Sequence, residues 1–234
     1  MLQLLMEMSI KWKSKRATAY REIDAPQSRV AAKNMRIPGT DELRIATLNV
    51  GTMSGKSGEV VDFMKRRRCR ILCVQETKWK GDRARVFGEG YKLLHAGGDG
   101  KSNGVGVIVD SNLARQVIRV ERWDGRIMMV WMLTGGRKLC VMTVYAPQVG
   151  RNQREKREFR EKVEDMLQLV EEDDILCMAG DFNAHIGKQQ QGEEESVGRF
   201  GYGERNTEGK EWVHLVSRNG LAVAQTYFEK RPSH

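Results

Sequence analysis

Five polar residues stand at or just beyond the ends of apolar runs in this sequence of 234 residues. Asn49 lies near the end of LRIATLNV, Glu76 follows ILCVQ, Tyr145 ends CVMTVY, and Asp181 and Asn183 follow ILCMAG. In layered α/β folds, side chains carried just past the C-terminal ends of strands can converge on one edge. Converged, these five offer two carboxylates, two amides and a phenol, a set suited to phosphodiester cleavage. Glu76 can hold a divalent cation such as Mg2+, which takes hard oxygen ligands and keeps several waters. Asn49 can steer Glu76 or accept a metal-bound water. Asp181 can orient or deprotonate the attacking water across a hydrogen bond of about 2.6–3.2 Å. Tyr145 and Asn183 can donate to phosphate oxygens as negative charge develops. Taken singly, each residue has an ordinary reading. An Asn or Asp near a strand end is usually a turn or cap residue, a Glu after a strand is usually solvated, and a Tyr often only packs. Periodicity leaves both readings open, and the combination is what points to chemistry.

The elements that must carry these residues follow from hydrophobic pattern. Residues 43–50 and Arg70–Gln75 are β-rich runs. Between them, Gly58–Arg68 sets Val60, Val61 and Met64 at helical spacing, with Lys and Arg in the last turn where the helix dipole favours cations. Strand, helix, strand predicts a parallel pair with a covering helix. Strands are predicted at Tyr91–His95, Val105–Val109, Gln116–Glu121, Met128–Leu133 and Leu139–Tyr145, with short loops that favour antiparallel neighbours. Arg154–Val170 is a helix with Phe159, Val163, Met166, Leu167 and Val170 on one face. A strand at Ile175–Ala179, a helix at Glu208–Arg218 and a strand at Leu221–Tyr227 complete the pattern. The acidic, glutamine-rich run 188–199 reads as a surface loop with too little apolar area to offset ordering. Residues 1–42, with the cluster KWKSKR, read as a weakly ordered basic extension that starts with a short helix, and 43–234 as the domain.

The formal charge is +9, from 40 Lys and Arg against 31 Asp and Glu. Such an excess concentrates polyanions, so nucleic acid is an expected partner beside the plainer reading of a basic, solvated surface. The four cysteines, Cys69, Cys73, Cys140 and Cys177, form no CxxC pair and no zinc pattern, which predicts buried free thiols in a reducing compartment. No run is long and apolar enough to predict a membrane span. The opening MLQLLMEMSI has its basic residues after the apolar run, an order unlike a secretory signal.

The runs TLNVGTM (47–53), CVQETKW (73–79), GVGVIV (104–109), VYAPQ (144–148) and AGDFNAHIG (179–187) resemble the endonuclease/exonuclease/phosphatase superfamily. Within it they are similar to the apurinic-endonuclease-like domain of non-LTR retrotransposons and to craniofacial development protein 2-like sequences, over about residues 43 to 234. The resemblance implies an α/β (α+β) fold, a four-layer αββα sandwich with two mixed or antiparallel sheets face to face. It implies a DNA-directed phosphodiesterase that uses Mg2+, with Mn2+ able to replace it. Asn49 and Glu76 fall on the metal side, Tyr145 on the phosphate contact, Asp181 on water activation or leaving-group protonation, and Asn183 on its partner amide. Lys78 and His185 lie beside them as phosphate or backbone contacts, a structural hydrogen bond being an equal reading for His185. Gln225 stands where members often have Asn. Members continue into an Asp-containing strand and an SDH-like segment, whereas this sequence closes on Arg231-Pro232-Ser233-His234. The expectation is therefore a C-terminally incomplete domain with bare sheet edges, weak or absent turnover, and room for a protein partner to cover the open sheet. A non-catalytic nucleic-acid or protein-binding module is the alternative, and a lipid or inositol phosphate phosphodiesterase or phosphatase ranks below it. DNA as substrate would place the chain in the nucleus, with the cytoplasm as the other location.

Overall fold

The computed structural model describes residues 9–11, 33–35 and 43–229. The chain runs β1 (Ser9–Lys11), β2 (Lys33–Met35), β3 (Leu43–Asn49), α1 (Ser57–Arg67), β4 (Ile71–Gln75), β5 (Arg83–Val86), β6 (Lys92–Ala96), β7 (Val105–Val109), α2 (Ser111–Ala114), β8 (Val117–Asp124), β9 (Ile127–Thr134), β10 (Arg137–Tyr145), α3 (Gln153–Leu167), β11 (Ile175–Asp181), α4 (Thr207–Arg218) and β12 (Ala222–Val223). One six-stranded sheet has the order β2-β3-β4-β7-β6-β5 and the other β12-β1-β11-β10-β9-β8. Two pairs are parallel, β3 with β4 across α1 and β10 with β11 across α3. The pairs joined by short loops are antiparallel.

Period-two alternation sorts the side chains into layers. Odd-numbered residues of β3, β4, β10 and β11 face the space between the sheets, where Leu43, Ile45, Ile71, Cys73, Leu139, Val141, Ile175 and Cys177 form one apolar core with Met128, Val130 and Met132 of β9. Even-numbered residues of β3 and β4 pack outward on Val60, Phe63 and Met64 of α1. Those of β10 and β11 pack outward on Phe159, Val163 and Met166 of α3 and on Trp212, Leu215 and Val216 of α4. Helix, sheet, sheet, helix is the four-layer αββα sandwich that the sequence predicts. Among the described residues no helix is long and apolar enough to cross a membrane.

Several segments differ from the sequence reading. The sequence reading lacks β5, since Arg83–Val86 is only four residues long, holds just Ala and Val beside its arginines and is exposed throughout. The strand expected over Leu221–Tyr227 is two residues of β12 followed by a 3-10 turn over Ala224–Tyr227. Thr226 closes that turn, donating its hydroxyl to Val223 O at 2.6 Å and accepting from Gly198 N at 2.6 Å. The run 188–199 is tied down rather than merely solvated. Arg205 donates to Glu193 Oε2 at 2.6 Å and to Lys188 O at 3.0 Å, and Val197 is buried beside Val223. Two pieces of the basic extension run as strands, β1 antiparallel to β11 and β2 antiparallel to β3. β1 lies between β11 and β12, so β11 is not a bare edge, and β2 is the edge strand beside β3. The short helix expected at the start lies outside the described residues.

All four cysteines are buried free thiols. Burial pushes Cys69 up to about 12 and raises Cys73 and Cys140 well above the ordinary thiol value, so none of these three offers a thiolate nucleophile near neutral pH.

His95 of β6 is fully buried, edge-on to Trp79 at 5.4 Å, with no hydrogen-bond partner for either ring nitrogen among the described residues. Burial, then the cations of Arg85 and Arg122, hold its imidazole below the usual 6.5. A depressed pKa means the unfolded chain takes up the proton first. The stability tied to neutral His95 is thus complete above the unfolded value and is lost as pH falls through the folded one. The melting temperature is expected to decline as pH falls below the ordinary histidine value of 6.5, and His95→Phe to remove part of that slope in thermal scans.

Candidate active site

Where the apolar core between the sheets reaches the C-terminal ends of β3, β4, β10 and β11, its inward stripe turns polar. The same alternation that buries Ile45, Cys73, Val141 and Cys177 brings Asn49, Tyr145 and Asp181 inward at the strand ends. Glu76 comes after an inward Gln75 and by alternation would face out. Its φ of 59° places it in the left-handed region, which ends β4 and turns the carboxylate back toward the others. Lys78 and Asn183 also have positive φ, 53° and 46°. Three non-glycine residues in this sparsely populated region around one site are a cost that surrounding structure must hold in place. Part of that hold is the pairing of Thr77 N with Gly104 O at 3.0 Å and of Lys78 N with Asn103 O at 2.9 Å. Gly104 has a φ of 93°, and a Cβ there would stand 2.2 Å from Thr77 Oγ1, so the strap can pass this close only as glycine.

The polar group is one hydrogen-bonded unit. Asn49 Nδ2 donates to Glu76 Oε1 at 2.8 Å and to Asp181 Oδ2 at 3.2 Å. Its carbonyl Oδ1 accepts from Gly51 N at 3.0 Å, which fixes which end of the amide faces the acids. Tyr145 OH donates to the same Glu76 Oε1 at 2.9 Å. Asp181 Oδ1 accepts from Asn183 N at 3.1 Å, and Asn183 Nδ2 donates to Ala146 O at 2.9 Å. Asp181 is 8% exposed and the Glu76 side chain 23%, so the pocket opens on the Glu76 side. Burial, then the hydrogen bond and charge of Glu76, lift the Tyr145 phenol to about 12. It therefore stays protonated and remains a donor at neutral pH.

The structure thus brings Asn49, Glu76, Tyr145, Asp181 and Asn183 together. Lys78 stands at their rim, its Nζ 3.7 Å from Glu76 Oε2. His185 is exposed and is tied to Asn206 through its backbone, its N–H donating to Asn206 Oδ1 at 3.0 Å and its carbonyl accepting from Asn206 N at 3.2 Å. Arg126 was missed. Its guanidinium lies 5.1 Å from the Tyr145 ring centre and donates to Tyr145 O at 3.1 Å. Only the β9–β10 register, which sets the turn before Ile127 opposite Tyr145, could have signalled it. Also missed was a buried polar row one step below the site, formed by Thr47, Gln75 and Thr143.

Among the described residues no three Asp, Glu, His or Cys side chains form a metal-binding group. The donors present still fit one hard cation. Glu76 Oε1 takes both protein hydrogen bonds, from Asn49 and Tyr145, while Oε2 has only the Lys78 ammonium nearby at 3.7 Å. Magnesium is commonly held by one or two carboxylates together with water and substrate phosphate.

Comparison with known proteins agrees with this architecture. A family model described as "Endonuclease/Exonuclease/phosphatase family" matches residues 46–202. Craniofacial development protein 2 of Bos taurus is 29% identical over 192 residues, 81% of this chain and 32% of that protein, so the chain spans about a third of the length of this relative. An AP endonuclease from Leishmania major superposes with a TM-score of 0.55 at 16% identity, over 76% of this chain and 66% of the other. A 3′ phosphatase from Neisseria, solved with a product DNA hairpin, gives 0.52 at 16% identity over 75% and 70%.

Proposed function

Since the chain belongs to the endonuclease/exonuclease/phosphatase family, we propose that it is a divalent-metal-dependent phosphodiester hydrolase domain that acts on DNA, with Asn49, Glu76, Tyr145, Asp181 and Asn183 as its site. The observation that carries this reading is the Asn49 amide, whose single nitrogen bonds both Glu76 and Asp181, while Tyr145 bonds the same Glu76 oxygen.

Glu76 would hold Mg2+ through its carboxylate, with Mn2+ able to substitute. Bound there, the ion supplies Lewis-acid stabilisation of charge on the phosphate. Asn49 keeps the two carboxylates in register and so limits their mutual repulsion. Asp181, fixed by Asn49 and by the Asn183 backbone, orients the attacking water and accepts its proton. Tyr145 turns its phenolic proton from Glu76 to a non-bridging oxygen when phosphate enters. Asn183 holds the Asp181 loop and offers its remaining amide hydrogen to phosphate. Lys78 at the rim and the net charge of +9 draw the polyanionic strand.

DNA as the substrate is supported by the basic composition and by the DNA-bound Neisserial relative. Similarity to craniofacial development protein 2 over 81% of this chain supports descent shared with a segment of that protein.

Conversion of supercoiled plasmid, intact or carrying abasic sites, to nicked circles with protein in excess tests the proposal. Nicking that requires Mg2+ and stops with EDTA is expected. DNA binding that weakens with salt, without any nicking, would instead favour a binding module. Faster release of phosphate from lipid headgroups than cleavage of DNA would move the substrate to that class.

A further inference from the structure

The polar row beneath the site is costly unless it has a purpose. Gln75 is 1% exposed and Thr143 fully buried, in a layer otherwise filled by aliphatic and sulfur side chains. Both ends of the Gln75 amide are used. Oε1 accepts from Thr47 Oγ1 at 3.1 Å and Nε2 donates to Thr143 Oγ1 at 3.2 Å. The first bond lies within one sheet, from β3 to β4, and the second crosses to β10 of the other sheet. Each member precedes a site residue on, or just past the end of, the same strand. Thr47 is two before Asn49, Gln75 one before Glu76, and Thr143 two before Tyr145. The contact they underlie, Tyr145 OH to Glu76 Oε1, is also a bond between the two sheets. Apolar side chains would fill this layer without orientation, since packing between sheets tolerates sliding that hydrogen bonds do not.

We infer that Gln75 is a positioning residue: its amide, clamped between Thr47 and Thr143, fixes the offset of the two sheets and thereby holds Glu76 in the place where it meets Asn49, Tyr145 and a metal ion. This rests on the metal-dependent reading of the site. Groups that orient a metal ligand from behind typically contribute about 10–100-fold to metal affinity.

The test is Mn2+ binding to the full chain by electron paramagnetic resonance, well below the melting temperature. Gln75→Met is expected to weaken binding about 10–100-fold. Thr143→Val, which removes one bond at constant shape, should weaken it in the same direction, and Thr143→Ser, which restores the hydroxyl, should recover it. Combining Gln75→Met with Thr47→Val and Thr143→Val removes the buried polar atoms and should recover melting temperature without recovering Mn2+ affinity. Wild-type affinity in Gln75→Met or in the triple variant would overturn the inference, because a purely structural role moves only stability. If the unaltered chain binds no Mn2+, the metal reading fails, and the inference is then judged on the Asn49 side-chain amide resonances. Displacement of those resonances in Gln75→Met and Thr143→Val, but not in Thr143→Ser, would support it. Unmoved resonances in Gln75→Met would overturn it.

Discussion

Glu76→Ala is expected to lower Mg2+-dependent DNA nicking by about 10²–10³ or more, and Asp181→Ala by a comparable factor. The two losses have different origins. Without Glu76, the cation loses its anionic ligand, and both Asn49 and Tyr145 lose the acceptor that now aims them. Without Asp181, the cation site stays but the attacking water loses its base, so raising the metal concentration should not restore the rate. Fold should survive in both variants, since alanine also relieves the need for a carboxylate among other polar groups at the pocket mouth. Single-turnover nicking at several Mg2+ concentrations, beside melting curves, checks both statements. Nicking that persists in both variants would mean the chemistry lies elsewhere.

The second large effect lies away from the site. Lys156 of α3 is 4% exposed at its side chain, and its Nζ donates to Glu208 Oε1 of α4 at 2.5 Å and also to Val149 O. That hydrogen bond, working against burial, holds the Glu208 carboxyl below the usual carboxylate range. Lys156→Ala leaves a carboxylate enclosed without its cation, and breaking such a pair costs about 3–5 kcal/mol. For a domain of this size that lowers the melting temperature on the order of 10 °C. Replacing both partners, Lys156→Met with Glu208→Leu, should recover most of the loss, because two well-packed apolar groups carry no desolvation penalty. Thermal denaturation of the three variants decides it. Because a depressed carboxylate stabilises only while ionised, the contribution of the pair should fade as pH drops through the folded value of Glu208.

Much of this architecture is legible in the sequence because one physical rule governs both core and site. β3, β10 and β11 are legible as apolar runs because both of their faces are packed, and the pleat of the same strands sends Asn49, Tyr145 and Asp181 inward. Glu76 is different, since alternation points it outward and only a left-handed backbone brings it in, a feature that residue type does not announce. β5 stayed hidden because an exposed edge strand has no buried face to impose a pattern. The run 188–199 looked solvated because what orders it, Arg205, is distant in sequence and pairs with Glu193 only once the chain has folded. Thr47, Gln75 and Thr143 sit on inward positions of apolar strands. Read with the same parity rule, their polarity signals a buried network, yet singly they pass for tolerated substitutions.

Glu76 and Asp181 are predicted to share one pocket, with a metal ion bound at Glu76. Anomalous scattering from crystals soaked in Mn2+ tests this most directly. A peak within coordination distance of Glu76 Oε2, on the side of the pocket that also faces Asp181, is the predicted result. No peak at Glu76 under saturating Mn2+, or ions seated only elsewhere on the chain, would contradict it.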